Sequence, residues 1–391
     1  MRILITISSF NPTGSYGGSM TVAYNTAKEL VKRGHEVSVY ASDFVTRDSR
    51  TLSKHSEIEG IEVSYFKNLS NRIAWDYRLF LIPGIIPSLR KNIQNFDIVH
   101  INEHYCVHNI AISYYARKQG IPYVVQPHGA ALTYFQKESS KKIFDNMFAR
   151  RILDKATKVL VLNGDEAEKL REFGVSDKKI VLVSNGIDIS EFQDLPHRGL
   201  FRRRLGIENE IMLLYLGRIH KAKGLDLLLS SFADVLKSQS DVKLVIVGPD
   251  DGFKNDLERQ AKDLEISDSI FFTGPMYGAD KLSAYVDSDI FILPSNYEAF
   301  GLTIIEAWAC HVPVIITERC GIAKVASQGG LVVKHRKENL KEAILKLISD
   351  DKLRKALGDR GAELVTNRFN WKMIACDIES VYQECVNNKV K

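Results

Sequence analysis

The chain has 391 residues, of which 45% are hydrophobic and 26% are charged, a composition typical of folded globular proteins that excludes a disordered chain. No apolar run approaches the roughly 18–20 residues that a membrane-spanning helix needs, and residues 1–6 enter a strand without the anatomy of a signal peptide. Five cysteines without C-x-x-C spacing predict reduced thiols, and they argue against a disulfide framework or zinc site. We therefore expect a cytoplasmic protein with two domains of ordinary size.

Positive charge is concentrated in the first half of the chain. Residues 1–186 carry 25 Lys and Arg against 18 Asp and Glu, whereas residues 187–391 carry 28 against 30. The basic half predicts an anionic partner, which is either an acidic acceptor or the inner face of a membrane that the protein contacts peripherally. We expect no nucleic-acid partner.

The chain opens with a strand, a loop, a helix and a second strand. Residues 2–8 and 36–40 read as buried strands, and Ser19 is a plausible N-cap for a helix that ends near Gly34. The intervening loop is not G-x-G-x-x-G, which argues against a nicotinamide-dependent dehydrogenase. Its glycine pair, Gly17 and Gly18, would let the backbone approach a phosphate, and it would equally serve a tight turn.

Two segments of the first half allow two interpretations each. Residues 72–86 mix aromatic, aliphatic and arginine side chains, so they form either a membrane-interface element or a helix pair on the sheet broken at Pro83 and Gly84. Residues 137–158 carry seven basic side chains against three acids, which predicts a solvated helix face or contact with anionic lipid. Residues 61–66 and 97–101 read as further strands, on either side of the segment 72–86.

A strand over residues 122–126 ends in Pro127-His128-Gly129, at the sheet edge where ligands of parallel sheets bind. A lone histidine there is more often structural than functional. Residues 157–162 and 180–183 complete the first sheet, and the Asn185-Gly186 turn marks the domain boundary.

The second half repeats the alternation of strands and helices. After the strand 211–216, the loop Gly217-Arg218-Ile219-His220-Lys221-Ala222-Lys223-Gly224 offers a planar guanidinium and a point charge to phosphate oxygens, unless it is only a solvated basic loop. Strands at 243–247 and 270–273 follow, with Met276 in the next loop. Residues 329–333 form the last strand, three helices cover residues 337–367, and a final helix follows Trp371.

Residues 289–317 form a strand–loop–helix–strand unit that brings two carboxylates to one pocket. Glu298 lies in the loop, Glu306 lies eight residues later in a helix over residues 302–310, and residues 312–316 form the next strand. The backbone amides at the helix start would face an anion, and they belong to Phe300, Gly301, Leu302 and Thr303. Asp250-Asp251 reads only as an acidic turn, so we expect no metal site.

Four motifs together resemble one enzyme family. The string S-N-Y-E-A-F-G-L-T-I-I-E from residue 295 contains E-x7-E, and it accompanies G-R-x-x-x-x-K-G from residue 217, N-G-I-D from residue 185 and S-x-G-G from residue 15. The combination resembles the retaining glycosyltransferases of family 4. The resemblance implies an α/β GT-B fold, with two facing Rossmann-like domains, parallel sheets and an interdomain cleft. Residues 1–186 with a crossover helix at 372–391 would form the acceptor-side domain, and residues 187–371 the donor-binding domain.

The resemblance also implies site residues and a reaction. The catalytic set would comprise His128, Arg218, Lys223 and Glu298, with the two cations at the leaving diphosphate and Glu298 at the sugar hydroxyls. The donor would be bound by Gly17, Gly18, Asn185, Gly217, Met276, Phe300, Gly301, Leu302, Thr303 and, at the ribose, Glu306.

The implied reaction is the transfer of a sugar, with retention, from a UDP- or GDP-sugar to a sugar, glycolipid or lipid-linked acceptor in a cell-surface polysaccharide or glycolipid pathway. We expect it to need no metal and no cofactor. The alternatives are a UDP-sugar 2-epimerase of the same architecture and a non-catalytic subunit that binds nucleotide sugars.

Overall fold

The computed structural model describes residues 1–11, 18–129 and 144–388. The chain divides into two compact units. Unit 1 comprises Met1–Asn185 and Trp371–Lys391, and unit 2 comprises Gly186–Asn370.

Unit 1 contains an eight-stranded sheet in the order β3-β4-β2-β1-β5-β6-β7-β8. Seven strands are parallel, as the apolar runs of the sequence predict, and β3 pairs antiparallel with β4 at one edge. Strand β3 was not predicted from the sequence, because it is short, polar and partly exposed. The strands are β1 (Arg2–Ser9), β2 (Glu36–Ser42), β3 (His55–Ile58), β4 (Ile61–Phe66), β5 (Ile98–Asn102), β6 (Tyr123–Gln126), β7 (Lys158–Val161) and β8 (Ile180–Leu182).

Helices cover both faces of this sheet, and the alternation of side chains along β1 shows why. Ile3 and Ile5 belong to one buried apolar cluster, whereas Leu4 between them belongs to another, since successive side chains of a strand point to opposite faces. The helices are α1 (Gly18–Lys32), α2 (Asn71–Tyr77), α3 (Ile85–Asn92), α4 (His108–Lys118), α5 (Arg150–Lys155), α6 (Gly164–Glu172) and the last helix, Trp371–Asn387, which packs in the cluster with α1.

Three predictions for unit 1 can be compared directly with these bounds. The first helix begins at Gly18, one residue before the predicted cap Ser19. Residues 72–86 form the predicted helix pair, with the break at residues 78–84. The segment 137–158 lies partly outside the described residues; its described end forms a π-helical turn over Asp145–Ala149 and then α5.

Unit 2 contains a six-stranded sheet in the order β11-β10-β9-β12-β13-β14, and all of its pairings are parallel. Numbered within the unit, this is the Rossmann order 3-2-1-4-5-6. Its strands are β9 (Ile211–Leu216), β10 (Val242–Val247), β11 (Ile270–Gly274), β12 (Ile290–Leu293), β13 (Val314–Thr317) and β14 (Gly330–Val333).

The helices of unit 2 connect these strands and close the unit. Residues 337–367 were predicted to form three helices, but they form two, because Asp350 leaves the helical conformation and its side chain caps the next helix by accepting from the Leu353 amide. The helices are α7 (Leu200–Leu205), α8 (Leu225–Leu236), α9 (Lys254–Asp263), α10 (Gly278–Asp287), α11 (Leu302–Ala309), α12 (Ala323–Ala326), α13 (Lys337–Ser349) and α14 (Asp351–Arg368), after which the last helix of unit 1 is α15.

Each sheet has a point where the strand order reverses, and ligands of such sheets bind beyond the strand ends there. The reversal lies between β9 and β12 in unit 2, and between β1 and β5 in unit 1. Across the described ranges, no helix is both long enough and apolar enough to cross a membrane.

Candidate functional site

In unit 2 the loops that follow β9 and β12 touch at the reversal point. The Asn296 amide donates to the Ala222 carbonyl over 3.0 Å. Gly224 closes the first loop with φ +67°, and a Cβ at this position would lie 2.1 Å from the Pro294 carbonyl oxygen. A glycine is therefore required here for the two loops to approach each other.

This approach brings Lys223 and Glu298 into an ion pair. The Lys223 Nζ lies 2.5 Å from Glu298 Oε2, and each side chain is 18% exposed. Burial raises the pKa of the Cys320 thiol to about 12, with a second contribution from the charge of Glu298. The site is thus a partly buried pair of opposite charges at a sheet edge.

The backbone of Glu298 is fixed by the loop after β13. Its amide donates to the Arg319 carbonyl over 3.2 Å, and its carbonyl accepts from the Gly321 amide over 2.7 Å. The carboxylate therefore points at Lys223 from a backbone held on both sides. The E-x7-E spacing alone predicts no such bracing.

The start of α11 presents backbone amides without a capping side chain. Phe300 is buried with its ring 5.9 Å from that of Phe369, and Gly301 is the N-cap residue with φ +86°. A Cβ on Gly301 would lie 2.6 Å from Ile304 Cδ1. Leu302 and Thr303 form the first turn, where the helix dipole and free N–H groups favour an anion.

Glu306 lies on α11 and is held by two residues of α10. Lys281 Nζ lies 2.9 Å from Oε1, and the Tyr285 hydroxyl donates to Oε2 over 2.8 Å. Burial lowers the pKa of Lys281, but the charge of Glu306 and its hydrogen bond outweigh burial, so this pKa lies above its ordinary value. The two contacts fix the orientation of the Glu306 carboxylate.

Arg218 lies in a different environment from Lys223. Its guanidinium is 58% exposed and lies 2.6 Å from Asp251 of the loop after β10. Neighbouring Gly217 is at the end of β9, where a Cβ would lie 2.9 Å from the Tyr215 hydroxyl oxygen. Met276, half-buried in the loop after β11, completes the predicted residues of unit 2.

The predicted acidic turn is observed next to Arg218. The Asp250 carboxylate accepts hydrogen bonds from three backbone amides, those of Gly252, Phe253 and Lys254, over 3.0–3.1 Å. Within the described ranges, no group of three or more His, Cys, Asp or Glu side chains is placed to hold a metal ion.

In unit 1, His128 follows β6 in a left-handed conformation with φ +56°. Its Nε2 lies 2.7 Å from Asn102 Oδ1 at the end of the adjacent strand β5. Burial, with a smaller contribution from His100, lowers the pKa of His128 to about 3. The imidazole is therefore neutral at physiological pH and donates from Nε2 to the Asn102 amide oxygen.

A buried carboxylate fixes the backbone next to His128. Glu166 of α6 is completely buried, and its Oε1 accepts from the Gly129 amide over 2.7 Å while Oε2 accepts from the Leu162 amide over 2.9 Å. Burial raises the pKa of Glu166, and the two backbone hydrogen bonds act in the opposite direction. Glu166 thereby positions the His128–Gly129 turn.

Two of the three remaining predicted residues of unit 1, Gly18 and Asn185, are among the described residues. Gly17 is outside the described residues, Gly18 is the first residue of α1, and Asn185 is the buried last residue of the first segment of unit 1. Glu103, in a left-handed conformation after β5 with φ +67°, accepts from the Ser19 hydroxyl over 3.0 Å. A carboxylate thus lies beside the start of α1.

Several residues at the edges of the two sheets were not predicted from the sequence. They are Lys281 and Tyr285, Asn102, Glu103 and Glu166. Only Lys281 and Tyr285 could have been recognised as a pair from the sequence, because residues four apart share one helix face. The others depend on which strands are neighbours.

Two family models match the chain and together span both units. The model described as Glycosyltransferase Family 4 matches residues 16–191, and the model described as Glycosyl transferases group 1 matches residues 198–364.

Characterised relatives align over most of the chain. N-acetyl-alpha-D-glucosaminyl L-malate synthase of Bacillus anthracis is 26% identical over 389 residues, which are 96% of either chain. Alpha-monoglucosyldiacylglycerol synthase of Streptococcus pneumoniae is 30% identical over 324 residues, which are 81% of this chain and 70% of the relative. Among solved structures, Anabaena HepE in complex with UDP-glucose has a TM-score of 0.78 and 18% identity, covering 98% of this chain and 100% of HepE.

Proposed function

Because this chain belongs to glycosyltransferase family 4 and has the GT-B fold, we propose that it moves a sugar from a nucleoside-diphosphate sugar to an acceptor hydroxyl, with retention and without a metal. The observation that carries the proposal is the Lys223–Glu298 pair at the reversal point of unit 2, next to the uncapped start of α11. A cation and free amides suit a diphosphate, and a carboxylate suits sugar hydroxyls.

The leaving diphosphate is the part of the donor that these groups serve best. The ammonium group of Lys223 has three donors, so it can keep Glu298 and still bind phosphate oxygens. The amides of Leu302 and Thr303 add partial positive charge. Each such preorganised donor stabilises the developing charge by roughly 3 kcal/mol.

The two glutamates bind the two remaining parts of the donor, its sugar and its ribose. Glu298 accepts from the transferred sugar, and Glu306, oriented by its ion pair with Lys281, accepts from the two ribose hydroxyls. Neutral His128 contributes an uncharged imidazole at the sugar, which shields the anomeric centre without a charge of its own.

Retention in this proposal proceeds without a covalent sugar–enzyme intermediate. In unit 1 the carboxylate of Glu103 is engaged by Ser8 and Ser19, and that of Glu166 by two backbone amides. Neither suits the nucleophile of a two-step mechanism. The acceptor hydroxyl attacks the anomeric carbon on the face that the phosphate leaves, and the leaving phosphate oxygen takes the proton.

The donor is a UDP- or GDP-sugar, and the acceptor is a sugar, glycolipid or lipid-linked oligosaccharide in a cell-surface pathway. The complex of HepE with UDP-glucose supports the donor class. The relative named as an alpha-monoglucosyldiacylglycerol synthase supports a lipid acceptor.

A thermal-shift screen of the purified chain against UDP, GDP, ADP and their sugar conjugates tests the donor site. A ligand at 100 times its Kd should add about 2.7 kcal/mol to the free energy of unfolding, and Glu306→Gln should reduce the shift. Transfer assays with the selected donor, with and without EDTA, then test metal dependence, and NMR of the product gives the anomeric configuration.

Three outcomes would overturn parts of this proposal. No shift with any nucleotide would remove the donor site and favour a degenerate, non-catalytic relative. Conversion of the donor sugar without an acceptor would indicate an epimerase. Loss of turnover with EDTA, or an inverted product, would refute metal independence or retention.

A further inference from the structure

Exposed apolar side chains are distributed unevenly between the two units. Of the fifteen large hydrophobic residues that are exposed within the described ranges, twelve belong to unit 1 and three to unit 2. Six of the twelve fall within 18 consecutive positions, namely Leu69, Ile73, Trp75, Tyr77, Leu79 and Ile86. Scattered exposed apolar residues are ordinary, but a local concentration of them is typical of an interaction surface.

The fold holds this group in place through a small core of its own. Ala74 of α2 is buried against Phe44 and Phe80, and the Ser70 hydroxyl caps the helix by accepting from the Ile73 amide. The buried side of α2 is therefore narrow, and Trp75 and Tyr77 remain 41% and 61% exposed on an ordered helix.

The charge around the group is strongly positive. Between residues 67 and 91 the chain has five Lys and Arg and one acid, Asp76. That acid lies 3.4 Å from the Arg47 guanidinium, so its charge is partly compensated. Arg72 on α2 and both Arg90 and Lys91 in the last turn of α3 are exposed, so the same stretch of chain presents positive charge to solvent.

We propose that the surface of residues 69–91, formed by α2, α3 and the segment between them, docks the protein on an anionic phospholipid membrane. Trp and Tyr rings favour the interface between lipid headgroups and acyl chains, Leu and Ile enter its apolar side, and arginines pair with lipid phosphates. Charge complementarity selects an anionic surface.

The position of this docking surface indicates how a lipid-borne acceptor would reach unit 1, an inference that rests on the proposed function. The surface begins three residues after β4 ends at Phe66, so its α2 end lies at the carboxyl edge of the sheet that also carries His128. Parallel-sheet enzymes bind their ligands at that edge. A lipid-borne acceptor would thus reach unit 1 directly from the membrane.

Vesicle co-sedimentation of the full chain tests the docking without any transfer assay. The wild type should bind vesicles of phosphatidylcholine with phosphatidylglycerol and bind phosphatidylcholine vesicles much less. The pair Arg72→Gln and Arg90→Gln should lower the partition coefficient by roughly 25-fold, at about fivefold per charge. The pair Trp75→Ala and Tyr77→Ala should lower it at least about tenfold.

Matched controls lie elsewhere on unit 1. Leu182→Ala removes an exposed leucine from β8, at the opposite edge of the sheet, and Lys169→Gln removes an exposed charge from α6. Both should bind like the wild type. Urea midpoints for all variants exclude unfolding as the cause of a loss.

Equal binding to both vesicle types, or no binding to either, would overturn the proposal, as would unchanged binding by the Trp75 and Arg72 variants. If the aromatic pair instead breaks a dimer seen in sedimentation velocity while wild-type binding to vesicles is absent, the surface belongs to a second copy. Since none of these readouts requires a donor, failure of the proposed transfer activity would leave the docking result intact.

Discussion

Replacing Arg218 or Lys223 with alanine removes one positive charge from the strand-end loops of unit 2, and the structure predicts losses of stability that differ in size. Arg218 lies 2.6 Å from Asp251, but these side chains are 58% and 43% exposed. Such exposed pairs contribute about 0–1 kcal/mol to the free energy of unfolding. Lys223 and Glu298 are each only 18% exposed, so Lys223→Ala leaves a largely buried carboxylate unpaired and should cost about 2–3 kcal/mol.

The expected loss of transfer is large for both variants. A preorganised group that stabilises charge on a leaving diphosphate is worth about 100- to 1,000-fold in kcat. Arg218→Ala should therefore lose at least about 100-fold in activity at nearly unchanged stability. Lys223→Ala should lose both transfer activity and stability, because the Lys223 ammonium group binds the donor diphosphate and also pairs with Glu298.

Urea unfolding and initial-rate kinetics with the donor found by thermal shift provide the two measurements. Arg204→Ala is the matched control, since Arg204 lies 2.7 Å from Asp280 in a pair with exposures of 60% and 57%. It should change neither stability nor kcat appreciably. If Arg218→Ala kept the kcat of Arg204→Ala, Arg218 would not act on the diphosphate, and the role assigned to it would be wrong.

Three other substitutions test the framework around the site. Gly224→Ala should lower the free energy of unfolding by at least about 2 kcal/mol, because its Cβ would lie 2.1 Å from a carbonyl oxygen at φ +67°; an unchanged urea midpoint would contradict this. Tyr285→Phe removes a hydrogen bond to Glu306 and should raise KM for the donor about tenfold with kcat within about twofold; initial rates decide. Burial lowers the pKa of His108 to about 4, so its contribution is present above the unfolded pKa near 6.5 and is lost as pH falls toward 4. His108→Gln should therefore lose about 2 kcal/mol less between pH 7 and pH 5 than the wild type does, and equal losses would argue against a neutral buried ring.

The sequence predicted the strands well because burial on both sheet faces leaves an unambiguous signal. Apolar residues occur at consecutive positions where both faces of a strand are buried in the core, as in Ile290–Leu293. The edge strand His55–Ile58 carries no such signal, because half of its residues face solvent. The positions of helix ends were harder to predict than the strands, since an aspartate such as Asp350 is compatible with a helix interior and with an N-cap.

The motifs located the residues of unit 2 but not their contacts. Lys223 and Glu298 are 75 positions apart and meet only because β9 and β12 are neighbours in the sheet. Nothing in either motif reveals that order. The same holds for Glu306, whose partners Lys281 and Tyr285 lie on the preceding helix.

The edge of unit 1 was harder to predict because it depends on backbone strain. Glu103 and His128 follow the adjacent strands β5 and β6, and both are non-glycine residues in the left-handed region, which costs of order 1–2 kcal/mol each. Glu166 offsets this cost at His128, since a hydrogen bond from the Gly129 amide to a carboxylate contributes about 1.5–3 kcal/mol. In the sequence, Glu166 lies in a helix with acidic neighbours, a pattern typical of a solvent-exposed residue. Its burial and its role follow only from the three-dimensional order of β6, β7 and α6.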